Sequence, residues 1–441
     1  MDKPWSQVEL IREAFHYKSR YDGSTMVFKI DFPVTEHPLF PSMVKDLALL
    51  SQTGFRVVIV PGAKESIDEV LKEHAIASGY KSSVRITTGT AMPYVQMAAI
   101  NSATRFMTGF SSSRADAVIG NFVRARGLGV IDGLDMQNTG AVDRIYLDSL
   151  RRLLDLGIIP ILPCIGWNSS GRPYNVPSDE IALSAASSLE AEKLFIISIS
   201  KGICGDQYKI PEGIQTGENG KIIRLTPQEA ASVLESNSAA GSDKAMTELK
   251  LAVDACKAGV ERVHIIDGGE EGAVLKELFS NLGAGTMIYA DDYESIRSIR
   301  SRDIPDILRL MEPLMQQGIL IRRKTEDIQN KKEDFAVYVI DGQIHACGAL
   351  HDWGEEQGEI AAIATDPAYT HIGLGRRMVN YFLDKAKKQG LKRVFVLTTR
   401  THDWFESLGF REASIDTLPE KKRKSYDQTR NSKVYSLEIN Q

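Results

Sequence analysis

The sequence predicts an α/β protein in two parts: an open, mostly parallel sheet wound with helices to near residue 290, then a smaller mixed α/β domain. Three observations predict it. Short β-branched runs alternate with helical stretches: "MVFKI" (26–30), "RVVIV" (56–60), "IIPILPCIG" (158–166), "KLFIISI" (193–199) and "RVHIIDG" (262–268). Continuous apolar strands of this kind suit a parallel sheet covered by helices on both faces. The alternation stops near "GTMIYADDYES" (285–295), and the chain restarts with hairpin-like strands, "DFAVYVIDGQIHACGAL", around Asp341-Gly342, a dipeptide suited to tight hairpin turns.

Taken in order, residues 5–20 read as a helix with Val8, Ile11 and Phe15 on one face. The first strand precedes the helix "FPSMVKDLALLSQTG", and the second precedes "KESIDEVLKEHAIASG". After the boundary come a strand at 296–300, a helix from Asp303, the hairpin, and a strand "GEIAAIAT". A glycine loop then leads into a helix whose apolar face is Met378, Val379, Phe382, Leu383 and Ala386. The strand "RVFVLTT" and the helix "HDWFESLGF" follow. The expected organisation is an N-terminal helix (1–20), a first domain (21–290) and a second (291–441).

Composition narrows the function. A net charge of −5 over 441 residues gives no global attraction to nucleic acid or anionic membrane. The one basic run, "EKKRKSY" (420–426), reads as a solvated helix end, the alternative being an anion site. No apolar run reaches the roughly 20 residues of a membrane span. Four cysteines without C-x-x-C or zinc spacing, and scattered histidines, fit a reduced cytoplasm and no metal.

The stretch "IATDPAYTHIGLGRRM" carries the clearest chemistry. Small residues between a buried strand and a helix leave the first-turn N–H groups bare, and the helix dipole adds positive charge. A pyrophosphate fits there, with Arg376 or Arg377 beside it. This order of elements resembles the GNAT acyltransferase family, whose loop reads Gln/Arg-x-x-Gly-x-Gly/Ala. Thr370-His371-Ile372-Gly373-Leu374-Gly375 matches at both glycines and departs at Thr370.

The first domain resembles the amino-acid kinase family in "RYDGSTMVFKI", in "YNVPSDEIALSAASSLEAEKLFIISISKGI" with Asn175 and Asp179, and in "GVERVHIIDGGEEGAVLKELFSNLGAGTMI". That resemblance implies a three-layer sheet. It departs wherever nucleotide would sit: Lys29-Ile30-Asp31-Phe32 replaces Lys-x-Gly-Gly, "VPGAKES" keeps only Gly62, and Ser198-Ile199-Ser200 replaces Thr-Asp-Val. Phosphoryl transfer depends on amides, lysine and Mg²⁺ neutralising charge, so none is expected, and Lys29 is expected to be a structural or surface residue.

The tandem order, with "GNFVRARGLGVIDGLDMQNTGAVDRI", "EPLMQQGILIRR", "FVLTTRTHDWFESLGF" and "IDTLPEKKRKSYDQTRNSKV", is similar to bacterial-type N-acetylglutamate synthases. The resemblance implies acetyl transfer from acetyl-CoA to the α-amino group of L-glutamate, the first step of arginine biosynthesis. Glu359 then matches the general base and Thr398 a hydroxyl acid; the alternatives are a solvated strand carboxylate and a local hydrogen bond. Ile363 and Ala364 supply the oxyanion amide. His371, Ile372, Gly373, Leu374, Gly375 and Arg376 hold the cofactor. Arg323, Ala362, Arg430 and Ser432 hold the substrate, although spacing does not separate Arg323 from Arg322. His264, Glu277 and Gly283 match a regulatory L-arginine site, against the alternative that they are packed or solvated. A homo-oligomer is implied, a hexamer being compatible. Competing readings are a GNAT enzyme for another small amine and a non-catalytic amino-acid sensor.

Overall fold

A computed structural model describes residues 15–439, except 16, 20, 82, 201, 213, 215, 217–219, 239–242, 280–284, 291–293, 341, 368 and 370–372. Most of the helix expected at 5–20 lies outside the described residues, as do Gly283, His371 and Ile372. The chain forms two compact units, Met1–Asp291 and Asp292–Gln441.

The first unit is built on eight strands: β1 (Thr25–Ile30), β2 (Arg56–Pro61), β3 (Ala117–Ile119), β4 (Ile159–Ile161), β5 (Lys193–Ser198), β6 (Arg224–Leu225), β7 (Arg262–Asp267) and β8 (Thr286–Tyr289). Their order is β6-β8-β7-β5-β1-β2-β4-β3. Only the β7–β8 pair is antiparallel. β1 and β5 are buried along nearly their whole length because helices cover both faces. The run "IIPILPCIG" makes two strands rather than one. Ile159–Ile161 joins this sheet, and Ile165–Trp167 pairs in a separate four-stranded sheet with Pro173–Asn175 and Val123–Gly127. Pro163 lies at the break and has no N–H for a ladder.

The second unit holds β9 (Glu294–Ser298), β10 (Phe335–Ile340), β11 (Gln343–Asp352), β12 (Gln357–Thr365), β13 (Arg393–Thr398), β14 (Arg411–Ala413) and β15 (Lys433–Glu438). They run in the order β9-β10-β11-β12-β13-β15-β14. The helix Ile304–Gln316 seals one face with Ile304, Ile307, Leu310, Met311 and Met315 against Phe335, Val337, Cys347 and Ala349. The helix Leu374–Lys388 buries Met378, Val379, Phe382 and Ala386, and Leu383 is half-buried. Among the described residues no helix is long and apolar enough to cross a membrane.

Candidate active site

Two backbone irregularities meet on β12. The first is a parting of strands. β12 pairs with β13 only at Gln357–Arg393, Gly358–Val394 and Glu359–Phe395, yet both strands run on, to Thr365 and Thr398. Beyond Glu359 the edge of β12 facing β13 has no ladder partner among the described residues. The second is a bulge. Cys347 pairs with Ala364 and Ala349 with Ala361, so Ala362 and Ile363 together oppose Gly348. Ala362 takes φ 57°, a left-handed value uncommon for a side chain with a Cβ. A bulge aims backbone donors away from the ladder, and it stands where Ile363 and Ala364 are expected to meet an oxyanion.

Glu359 sits at the last cross-strand pair before the strands part, and it is buried. Its carboxylate is not solvated. The Lys422 ammonium donates to Oε1 at 2.8 Å and Oε2 at 2.7 Å, and Trp353 Nε1 donates to Oε2 at 2.8 Å. This corrects the reading of 420–426 as a solvated end. Lys421, Arg423 and Lys424 are exposed, but Lys422 is turned inward. The signal was present: Leu418, Lys422 and Tyr426 are four residues apart, and Leu418 is anchored beside Phe395 and Val434.

Arg323 and Arg322 separate by environment. Arg322 is exposed and Arg323 half-buried, within the electrostatic reach of Glu359 and Arg430. Burial lowers the Arg323 pKa from its ordinary value, and the Glu359 charge opposes that. Arg430 donates to the carbonyls of Gly318, at 3.3 Å, and Ile319. Its Nε–H is buried with no partner among the described residues, a donor left over. Ser432 is buried, and its carbonyl accepts from Tyr426 Oη at 2.5 Å.

Thr398 ends β13 with its hydroxyl 2.8 Å from Thr401 Oγ1, and it accepts from the Thr401 N–H at 3.0 Å. In this arrangement it makes the local contacts of the alternative reading. Cys347 lies behind the bulge, its Sγ 3.8 Å from the Ala362 carbonyl. It is fully buried among core residues, and burial pushes its thiol up to about 12.

At the glycine loop, Gly373 caps the helix in a left-handed conformation, φ 70°, with open space around it. A Cβ on Gly375 would lie 3.1 Å from Trp404 Cζ2. The Arg377 N–H returns to the Gly373 carbonyl, and the N–H groups of Leu374, Gly375 and Arg376 precede any intrahelical partner. Arg376 is exposed, whereas Arg377 reaches Tyr338 Oη.

In the first unit Lys29 is not a surface residue. It is buried and pairs with Asp31 at 2.5 Å and Asp179 at 2.8 Å; Lys244 also contacts Asp31. Burial alone would push the Lys29 ammonium down, but the two carboxylates hold it above its usual range. Asn175 donates to Thr87 Oγ1 at 3.0 Å. Further along, His264 Nδ1 lies 2.7 Å from Glu277 Oε1, and the Gly285 N–H donates to Oε2 at 2.9 Å. Both side chains are buried. Gly285, which sequence reasoning missed, admits no side chain: a Cβ would lie 2.1 Å from the Ile265 carbonyl oxygen. Among the described residues no cluster of three metal-ligating groups occurs.

Comparison with known proteins fits this architecture. The amino acid kinase family matches residues 28–267, and the acetyltransferase (GNAT) family matches 303–410. Amino-acid acetyltransferases of Salmonella typhimurium (strain LT2) and Escherichia coli (strain K12) are 36% and 35% identical, each over 98% of this chain and 98% of their own. This chain belongs to the amino-acid acetyltransferase family. N-acetylglutamate synthase from Neisseria gonorrhoeae complexed with coenzyme A and L-arginine superposes with a TM-score of 0.83 at 34% identity, covering 99% of this chain and 100% of that one. Its complex with coenzyme A and N-acetyl-glutamate gives 0.61 at 35% identity. As an amino-acid acetyltransferase, the chain is an enzyme whose second unit carries the acyl-transfer fold.

Proposed function

We infer that the chain makes N-acetyl-L-glutamate from L-glutamate and acetyl-CoA, with L-arginine as effector. The observation that carries the reading is the parting of β12 from β13 immediately after Glu359, with the Ala362–Ile363 bulge on the freed edge. It joins a base, an amide donor and an open strand edge within five residues.

The substrate's two carboxylates pair with Arg323 and Arg430; the unused Arg430 Nε–H supports that assignment. Glu359 takes a proton from the α-ammonium, and the neutral amine attacks the thioester carbonyl. The new oxyanion accepts from the bulge amides, worth a few kcal/mol in the transition state. The tetrahedral centre collapses, the C–S bond breaks, and the amine nitrogen's second proton is lost and taken up by the departing thiolate, so that coenzyme A leaves as the thiol. With a thiol pKa of about 8.5 it needs little acid help, so Thr398 contributes modestly. Cys347 is buried behind the bulge, and the amine takes the acetyl group directly from the thioester. The glycine loop and helix N-terminus grip the pyrophosphate.

Arginine acts at His264 and Glu277, where a guanidinium finds a carboxylate fork in exchange for its present partners. The first unit performs no phosphoryl transfer. Asp31, a carboxylate locked between Lys29 and Lys244, stands where the kinase loop keeps glycine. A cytoplasmic homo-oligomer completes the reading; Phe15, from the expected helix, is 72% exposed in the single chain.

Thiol release from acetyl-CoA across a panel of amino acids and amines, with and without arginine, tests this. Glutamate should be preferred by at least tenfold, and equal rates with another amine would overturn the assignment.

A further inference from the structure

Lys422 presents an ammonium group to the residue that must receive an ammonium group. Its Nζ bridges both Glu359 oxygens, at 2.8 and 2.7 Å, and lies 4.7 Å from the Trp353 ring centroid. A carboxylate below and a π face beside it make a cage that any primary ammonium would fit. We propose that Lys422 is an internal surrogate for the substrate's α-ammonium: it fills that seat on Glu359 in the empty enzyme, and glutamate displaces it on binding. The proposal rests on glutamate being the acceptor.

Three features support an exchange rather than a fixed brace. Burying a carboxylate with no counter-charge is costly, so an empty site needs a cation there. Replacing one ammonium by another preserves that compensation, so Glu359 carries a counter-charge both before and after the swap. Lys422 also rides on a short segment. Its helix is only Glu420–Lys424, its neighbours Lys421, Arg423 and Lys424 are exposed, and Leu418 provides the inward anchor. Among the described residues, Arg323 and His351 also feel the Glu359 charge. Arg323 carries a planar guanidinium, and His351 is engaged with Asp334 Oδ2 at 2.6 Å, so neither duplicates an ammonium.

The test is steady-state kinetics of the full chain with Lys422→Met and Lys422→Arg, using glutamate as substrate and glutarate as inhibitor. Glutarate keeps both carboxylates and lacks the ammonium. Removing the competitor in Lys422→Met should lower the KM for glutamate by about threefold, the effect of a modest ion pair. Lys422→Arg should raise it, because a guanidinium forks a carboxylate with two parallel bonds. The Ki of glutarate should be the same in all three proteins. A KM that rises in Lys422→Met, or a glutarate Ki that moves with it, would make Lys422 a holder of the carboxylates and end the proposal. If Lys422→Met does not fold, Lys422→Arg decides: an unchanged or lower KM overturns the exchange. Failure of the base assignment would show separately, as an unimpaired kcat in Glu359→Gln.

Discussion

Gly348 faces Ile363 so closely that a Cβ on the glycine would lie 2.6 Å from the Ile363 Cδ1. The same atom would lie 2.6 Å from Phe382 Cε2. The bulge that opens β12 turns Ile363 onto its partner strand, and only a residue without a side chain fits opposite. Gly348→Ala should therefore cost about 1–3 kcal/mol, the range for overpacking a core. Thermal or urea unfolding checks this, and kcat should fall with stability because the bulge is the strained element.

Apart from its chain neighbours, no described residue lies within 4 Å of where a Cβ on Gly373 would stand, so the constraint is its backbone. At φ 70° a Cβ costs about 1–2 kcal/mol. Gly373→Ala should raise the KM for acetyl-CoA several-fold and leave the KM for glutamate near its original value, as initial rates at varied acetyl-CoA will show.

Glu359→Gln keeps the shape and the Trp353 contact but cannot hold a proton. Loss of a general base costs typically 10²–10⁴ in rate, and kcat measured by thiol release should fall into that range. Retention of more than a tenth of kcat would move the base elsewhere, with the nearby His351 as the next candidate.

Arg323→Lys retains charge and loses the planar fork. Hydrogen bonds to charged groups are worth about 1.5–3 kcal/mol, so the KM for glutamate should rise at least tenfold. Arg322→Lys, at an exposed position, should change it little. The pair of variants measured side by side separates a binding arginine from a surface one.

Stability should depend on acid in two opposed ways. Burial lowers the His264 pKa below its ordinary 6.5, with Glu277 opposing. As pH falls through 6.5 the unfolded chain takes a proton that the folded chain refuses, so this group's contribution, full above 6.5, is lost on acidification. Asp46 is pushed up to about 6 by burial and then by Glu271, against an ordinary 3.8. The folded chain binds that proton more readily, so Asp46 works in the other direction between about 6 and 3.8. Asp46→Asn should raise the melting temperature at pH 7 and steepen its fall toward pH 5.

Much of this was legible from residue order. The apolar stripe Met378, Val379, Phe382, Leu383 and Ala386 repeats at helical spacing, and all of it is buried except the half-buried Leu383. β-branched runs became the central strands because each satisfies its neighbours on both faces. "IIPILPCIG" misled as a single strand, since hydropathy does not register that a proline divides two sheets. The basic run misled because charge was counted and facing was not; only the buried Leu418 shows which lysine turns in. Glu277 was named, but its partner Gly285 depends on how near β8 passes to the Ile265 carbonyl.

By itself the sequence determined the two domains' element types, the glycine turn before a helix and the loss of the phosphate loop at Lys29–Phe32, because periodicity, turn chemistry and side-chain size act over a few residues. Tertiary structure decided that Lys422 and Trp353 enclose Glu359, that β12 leaves β13 at that residue, and that Arg323 rather than Arg322 turns inward. Among those contacts, Lys422–Glu359 joins positions 63 residues apart. Their energies depend on burial and on which charges share a low-dielectric space, quantities that exist only once the chain has closed on itself.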